Sequence, residues 1–144
     1  MKVASILRAK GLHVETVAPD AQLRTVAWTL RSRAIGALVV VDGEGAILGV
    51  LAERDIVHAL AEHGANVLTL RAAQVMNRTI VTCTPEDSIT SVMTQMTRQR
   101  IRHVVVVQAG RLHGIVSIGD VVKHRLDELQ LETNVLRETL IARP

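Results

Sequence analysis

The sequence has no phenylalanine and no tyrosine, and its only large aromatic is Trp28. Modules that hold single-stranded nucleic acid stack bases on surface aromatics, and this chain has almost none to offer. A pocket for a flat ligand must therefore grip it with aliphatic side chains and backbone. The single cysteine, Cys83, excludes an intramolecular disulfide and fits a reducing, cytoplasmic setting. In its apolar surroundings the thiol reads as a small buried residue and not as a nucleophile. Long hydrophobic runs are also missing. The longest, 34–41 and 46–52, are split by Asp42-Gly43-Glu44-Gly45 and fall far short of the ~20 residues of a membrane span. Lys2 and Arg8 near the start are not followed by the apolar stretch of a signal peptide. The chain reads as soluble and cytoplasmic, with no membrane partner.

What is present is aliphatic. Of the 144 residues 48% are apolar and 22% are charged, which describes a folded chain and not a disordered one. The length suits one ordinary domain or two small units that share a core. The net charge of +3 is uneven: residues 1–66 balance, and the excess lies in 67–144. Between 98 and 125, Arg98, Arg100, Arg102, Arg111, Lys123 and Arg125 face Asp120 alone. A solvated surface and an anion site both satisfy that cluster.

The sequence repeats itself. Shifted by 66, Thr16-Val17-Ala18-Pro19-Asp20 falls on Thr82-Cys83-Thr84-Pro85-Glu86, and Val39-Val40-Val41 on Val105-Val106-Val107. After a one-residue deletion, Gly49-Val50-Leu51-Ala52-Glu53-Arg54-Asp55 falls on Gly114-Ile115-Val116-Ser117-Ile118-Gly119-Asp120. Each copy has the same grammar. A short β-branched piece (15–17; 80–82) precedes a Pro-acid pair, which marks a helix start. Apolar spacing at Leu23, Val26, Ala27 and Leu30, and at Ile89, Val92, Met93 and Met96, predicts one buried helical stripe. Trp28 lies within the first of these helices and is expected in the core, with a solvent-facing edge as the alternative. Strands are predicted over 38–41 and 104–107, buried on both faces, and over 47–51 and 112–116. A second helix follows each pair. Short helices over 3–7 and 72–76 preface the two copies.

The predicted fold is α/β (α+β): two tandem β-α-β-β-α repeats packed sheet to sheet around a pseudo-two-fold axis, with a C-terminal helical extension. The boundaries are 1–66, 67–126 and 127–144. A repeat of about 60 residues buries too little surface to stand alone, so the two must share a core. In the last helix, predicted from Ser117 to about Leu140, the residues Val122, Leu126, Leu129, Thr133, Leu136 and Leu140 alternate spacings of four and three. That is a short coiled-coil seam with one polar break, and it fits either a homodimer or packing back on its own domain.

Gly-aliphatic-aliphatic-Ser-x-x-Asp at 114–120, with its partner at 49–55, sits at a strand-to-helix junction. Unpaired N–H groups and the helix dipole favour anions there, and glycine permits close approach of a ligand. Ser117 can cap the helix or donate to a phosphate. Asp120 can accept from both hydroxyls of a ribose, or it can merely complement the dipole.

In order and in duplicate, these motifs resemble the cystathionine-beta-synthase (CBS) domain family, as a tandem pair or Bateman module. The marks are Val-Val-Val-Asp at 39–42, Gly-Val-Leu-Ala-Glu-Arg-Asp-Ile at 49–56, Arg-His-Val-Val-Val at 102–106 and Gly-Ile-Val-Ser-Ile-Gly-Asp-Val at 114–121. The resemblance implies a stand-alone regulatory protein that binds an adenosine nucleotide in clefts between the repeats. AMP is favoured and NAD(H) is second, with ADP, ATP and S-adenosyl compounds open. It implies that Asp120 and Ser117 serve one cleft, with Thr16, Val17 and Ala37 lining its base pocket. Asp55 then serves the other, with Thr82 and His103, and Arg54 and Arg102 are the phosphate candidates. Ala52 stands where the family has Thr or Ser, so the Asp120 cleft is expected to be the better site. No catalytic residue, catalytic cofactor or metal is implied. Of six histidines, none has the spacing of a metal motif; His58 and His63 are five apart. A homodimer is expected, and output is expected to fall on a separate, unidentified effector protein, since 144 residues leave no room for an effector domain. The rival readings are a dimerisation scaffold with empty clefts and, less favoured, a nucleic-acid-binding module.

Overall fold

The computed structural model describes residues 1–142. In chain order its elements are α1 (Val3–Lys10), β1 (Thr16–Val17), α2 (Leu23–Ser32), β2 (Ala37–Val41), β3 (Ile47–Ala52), α3 (Glu53–His63), a 3-10 turn (Gly64–Thr69), α4 (Ala72–Val75), β4 (Thr82–Cys83), α5 (Ile89–Gln99), β5 (His103–Gln108), β6 (Arg111–Ser117) and α6 (Ile118–Ile141). Two three-stranded sheets result, ordered β1-β2-β3 and β4-β5-β6. In each the first strand runs parallel to the second and the third antiparallel. The register slips at matching places, between Val40 and Val41 and between Val106 and Val107. The two repeats are therefore alike in backbone, down to an equivalent irregularity.

The middle strands show why the apolar runs are continuous. Leu38 and Val40 pack with Leu23, Val26 and Leu30 of α2, and Val104 and Val106 with Ile89, Val92 and Met96 of α5. Val39 and Val105 are equally buried but belong to neither helix-backed core. By strand alternation they point to the opposite face, where the two sheets meet. A strand covered on both faces needs no polar alternation.

The prefacing helices are exchanged. Val3, Ile6 and Leu7 of α1 lie in the core of the second repeat, whereas Val67, Ala72 and Met76 lie in that of the first. Isolated bridges Lys2–Ser88 and Gln22–Arg71 hold the crossings. The structure has two cores, one per repeat, and each is completed by residues from across the boundary drawn at 66.

Some local expectations are corrected. Trp28 is not core: it is 69% exposed, because Leu23, Val26 and Leu30 take the buried face of α2 and position 28 falls opposite Val26. The β-branched piece at 80–82 forms a strand only at Thr82–Cys83. Helix α1 runs past Leu7 to Lys10, where Gly11 at φ 93° ends it. Of the apolar residues of the last helix, Val121 is buried in the core of the second repeat and Ile118 packs against it. Leu126, Leu136 and Leu140 are 61–67% exposed. Residues 143–144 of the predicted tail lie outside the described residues.

Candidate functional site

A cavity of about 190 Å³ opens between the repeats. The first repeat contributes Gly36, Val50 and Ala52, then Glu53, Arg54 and Asp55 from the first turn of α3. The second contributes Asn77, Thr79 and Val81, and the run Arg100 to His103. Local geometry explains both walls. At the β3–α3 junction the Asp55 carboxylate accepts the Ala52 N–H at 2.8 Å. Ala52 has no side-chain oxygen to cap α3 in return, so only half of a capping box forms. On the other wall Arg100 closes α5 in the left-handed region, φ 53°. That turn sends the chain along the cavity. Its repeat mate Ala34 has the same φ of 53°, so the turn belongs to the fold and not to this site alone.

The chemistry of the cavity is divided by type. Arg54, Arg100 and Arg102 line it, and none of them forms an ion pair among the described residues. Guanidinium groups in that state suit a phosphate. Asp55 offers acceptors to hydroxyl groups. Val50, Val81 and Ile101 offer aliphatic surface to a flat ring. A Cβ at Gly36 would lie 3.1 Å from Glu53 Oε1 and 3.2 Å from His103 Nε2, so glycine keeps this corner passable. Burial lowers the pKa of His103, and the Lys10 ammonium lowers it further; Glu53 and Asp120 pull it back and Arg102 again lowers it. His103 is thus within electrostatic reach of Glu53 on one side and Asp120 on the other.

The Asp120 side is arranged differently. Ser117 Oγ accepts the Asp120 N–H at 3.1 Å and Asp120 Oδ2 accepts the Ser117 N–H at 2.9 Å. This is a complete capping box. Lys10 Nζ donates to Asp120 Oδ2 at 2.7 Å and to the Ile115 carbonyl at 2.9 Å. Burial pushes the Asp120 carboxyl up, but the hydrogen bonds from Lys10 and Ser117 and the Lys10 charge outweigh it and hold the group below its usual range.

Of the ten predicted site residues, Arg54, Asp55, Arg102 and His103 meet in the cavity. Thr82 does not line it; Thr79 and Val81, just before β4, take that place. Ser117 and Asp120 face Lys10. Thr16 is exposed, Val17 is half-buried and Ala37 is buried against the β3 edge, opposite Ala52. The expectation had put the Asp120 cleft first, whereas the open cavity lies beside Asp55. The motif glycines also have a different task from the one predicted. A Cβ at Gly114 would lie 2.7 Å from a Leu7 methyl, and one at Gly49 2.7 Å from Met76 Sδ. Both glycines make room for the exchanged helices. Asn77, Thr79 and Arg100 were not anticipated. Arg100 was visible in the basic stretch, but Asn77 and Thr79 carry no signal except their place between α4 and β4. Among the described residues no group of side chains is arranged to hold a metal ion, and no helix is long and apolar enough to cross a membrane.

Comparison with known proteins agrees with this architecture. The family model described as "CBS domain" matches twice, over residues 4–62 and 72–127. A crystal structure of a CBS-domain-containing protein from Agrobacterium tumefaciens is 44% identical, covers 86% of this chain and 92% of its own, and superposes with a TM-score of 0.84. A CBS-domain-containing mitochondrial protein from Arabidopsis thaliana is 38% identical, over 67% of this chain and 50% of its own length. A CBS-domain pair solved in complex with 5'-methylthioadenosine and S-adenosyl-L-methionine is 25% identical, with a TM-score of 0.76, over 85% of this chain and 98% of its own. The chain spans only 36% of an uncharacterised Thermofilum pendens protein that is 33% identical to it.

Proposed function

Because the chain belongs to the CBS-domain family, as a tandem pair, we propose that it is a non-catalytic regulatory module that binds a phosphorylated adenosine ligand in the cleft beside Asp55. AMP is the first choice and NAD(H) the second. The observation that carries this reading is the set of three guanidinium groups, Arg54, Arg100 and Arg102, lining one cavity with the motif carboxylate and forming no ion pair among the described residues. A solved relative is described with adenosine-containing ligands, and another relative is named a subunit of a 5'-AMP-activated protein kinase. The arginines favour a phosphate-bearing ligand over S-adenosylmethionine. A ligand clamped between the repeats shifts their arrangement only as far as its affinity differs between the two states. The output passes to a separate effector protein.

Mass spectrometry of ligand released from the purified protein tests this reading. An adenine nucleotide in the extract, or a melting shift with added AMP, supports it. At 100 times the dissociation constant a ligand stabilises by about 2.7 kcal/mol. No adenine compound in the extract and no calorimetric heat with AMP, ADP, ATP, NAD or S-adenosylmethionine refutes it and leaves the scaffold reading.

The same reading includes a homodimer through α6. Val122, Leu126, Leu129, Leu136 and Leu140 are 40–67% exposed. With these residues in the a and d positions of a heptad, Glu132 falls at g and Arg137 at e, a pair of opposite sign between parallel helices. A second copy of this chain is the occupant whose charges match.

A further inference from the structure

Helix α1 runs one turn longer than its counterpart α4 and ends in Lys10. Lys2 and Arg71 precede these helices and hold equivalent bridges. Counted from them, Lys10 takes the place of Thr79, which lines the Asp55 cavity. From the end of α1, Lys10 reaches the motif carboxylate of the second repeat. Its side chain is about a third exposed and is held by Asp120 Oδ2 and the Ile115 carbonyl. Asp55 occupies the same helical position as Asp120, yet forms no ion pair among the described residues. Among the differences between the two motif carboxylates is a cation placed directly on Asp120 and absent from Asp55 among the described residues.

We propose that Lys10 is the charge selector of the Asp120 cleft: it admits an adenosine ligand that carries an anionic group and turns away the uncharged nucleoside. The inference rests on the reading that the clefts bind adenosine ligands. Asp120 is the acceptor that ribose hydroxyls require, and the ammonium holds one of its two oxygens, Oδ2. An uncharged nucleoside whose two hydroxyls take both carboxylate oxygens must displace the ammonium from Oδ2 and leave it without an anion. A phosphate beside the ribose takes over that ammonium, so the ion pair is exchanged and not lost. The flexible four-carbon stem of lysine allows the transfer, and the Ile115 carbonyl keeps the head group at the mouth.

The test is calorimetric titration of adenosine and of AMP into a chain carrying Asp55→Ala, with and without Lys10→Met. With Lys10 present, AMP is expected to bind at least tenfold tighter than adenosine. With Lys10→Met, adenosine binding is expected to tighten at least threefold and the advantage of AMP to fall below threefold. An unchanged ratio, or equal loss of both ligands, overturns the proposal. If Asp55→Ala does not fold, the ratio is read with Asp55 intact and Asp120→Ala as the control. The effect of Lys10→Met must vanish in that control, and its persistence there overturns the proposal. Absence of binding by either ligand to the unaltered chain removes the adenosine reading itself, and the proposal with it.

Discussion

His103 and Ser117 face each other across β5 and β6, at the register position where the first repeat pairs Ala37 with Ala52. The second repeat thereby gains an imidazole and a hydroxyl where the first has two methyl groups. The imidazole is half-buried, with Glu53 and Arg102 acting on it from the open cavity and Lys10 and Asp120 from the other side. Burial first and Lys10 second lower its pKa from 6.5. The sign follows from proton counting. As pH falls below about 6.5 the unfolded chain takes up the proton before the folded chain does, so acid favours unfolding. The stabilisation is complete above that pH and is lost as pH falls through the folded value. Urea midpoints should drop between neutral pH and mildly acidic pH, and His103→Gln should flatten that slope. Equal slopes for both proteins refute the assignment.

The Asp55 cleft makes a separate prediction for binding. A hydrogen bond to a charged group contributes about 1.5–3 kcal/mol, roughly tenfold to a hundredfold in affinity. Asp55→Ala should weaken AMP and adenosine alike, because it removes the acceptor for hydroxyl groups. Arg102→Ala should weaken AMP by that factor and leave adenosine nearly unchanged. Arg98→Ala, exposed on α5 outside the cavity, should change neither. Calorimetry with both ligands reads all three, and a loss with Arg98→Ala equal to that with Arg102→Ala refutes the phosphate role.

Cys83 is expected to be inert in the folded state. Burial pushes its thiol up to about 12, and the nearby Asp87 carboxylate adds to the rise. The thiolate is the reactive form, so alkylation at neutral pH should be negligible in native protein and rapid in denaturant. Native labelling at the rate of a free thiol contradicts this packing.

The fold was legible because its evidence is periodic and occurs twice. The helix stripes at Leu23, Val26 and Leu30 and at Ile89, Val92 and Met96, and the double-buried strands, all report local geometry that a single chain displays in its own spacing. Exchange of α1 and α4 was not legible. Nothing in the spacing of Val3, Ile6 and Leu7 says which of two similar cores receives them. The same blindness misplaced the role of Gly49 and Gly114, since the atoms they clear for, Met76 and Leu7, arrive by that exchange. It also hid the Lys10–Asp120 pair, which joins residues 110 apart in sequence. Arg54, Asp55, Arg102 and His103 were found because they lie within or beside the repeated motifs. Asn77 and Thr79 lie between α4 and β4, where composition carries no instruction. The exposure of Trp28 follows from the phase of its own helix, which sets it opposite Val26.

The tail of α6 gives the last prediction. Its leucines are open to solvent, and a free-standing apolar helix face is not stable in water without a partner. Each leucine buried in a dimer seam contributes about 1.5–3 kcal/mol. Leu136→Lys removes two per dimer, so dimer dissociation should rise by roughly two to four orders of magnitude. Sedimentation should show a dimer for the unaltered chain and a monomer for the variant at micromolar concentration. The charges also set orientation. Parallel helices place Glu132 beside Arg137 of the partner, whereas antiparallel helices set e against e and bring Lys123 toward Arg137. Leu140→Cys at the end of the seam should therefore oxidise to a covalent dimer, and the buried Cys83 does not compete. A monomeric unaltered chain refutes the seam, and a dimer that Leu140→Cys does not cross-link refutes the parallel arrangement.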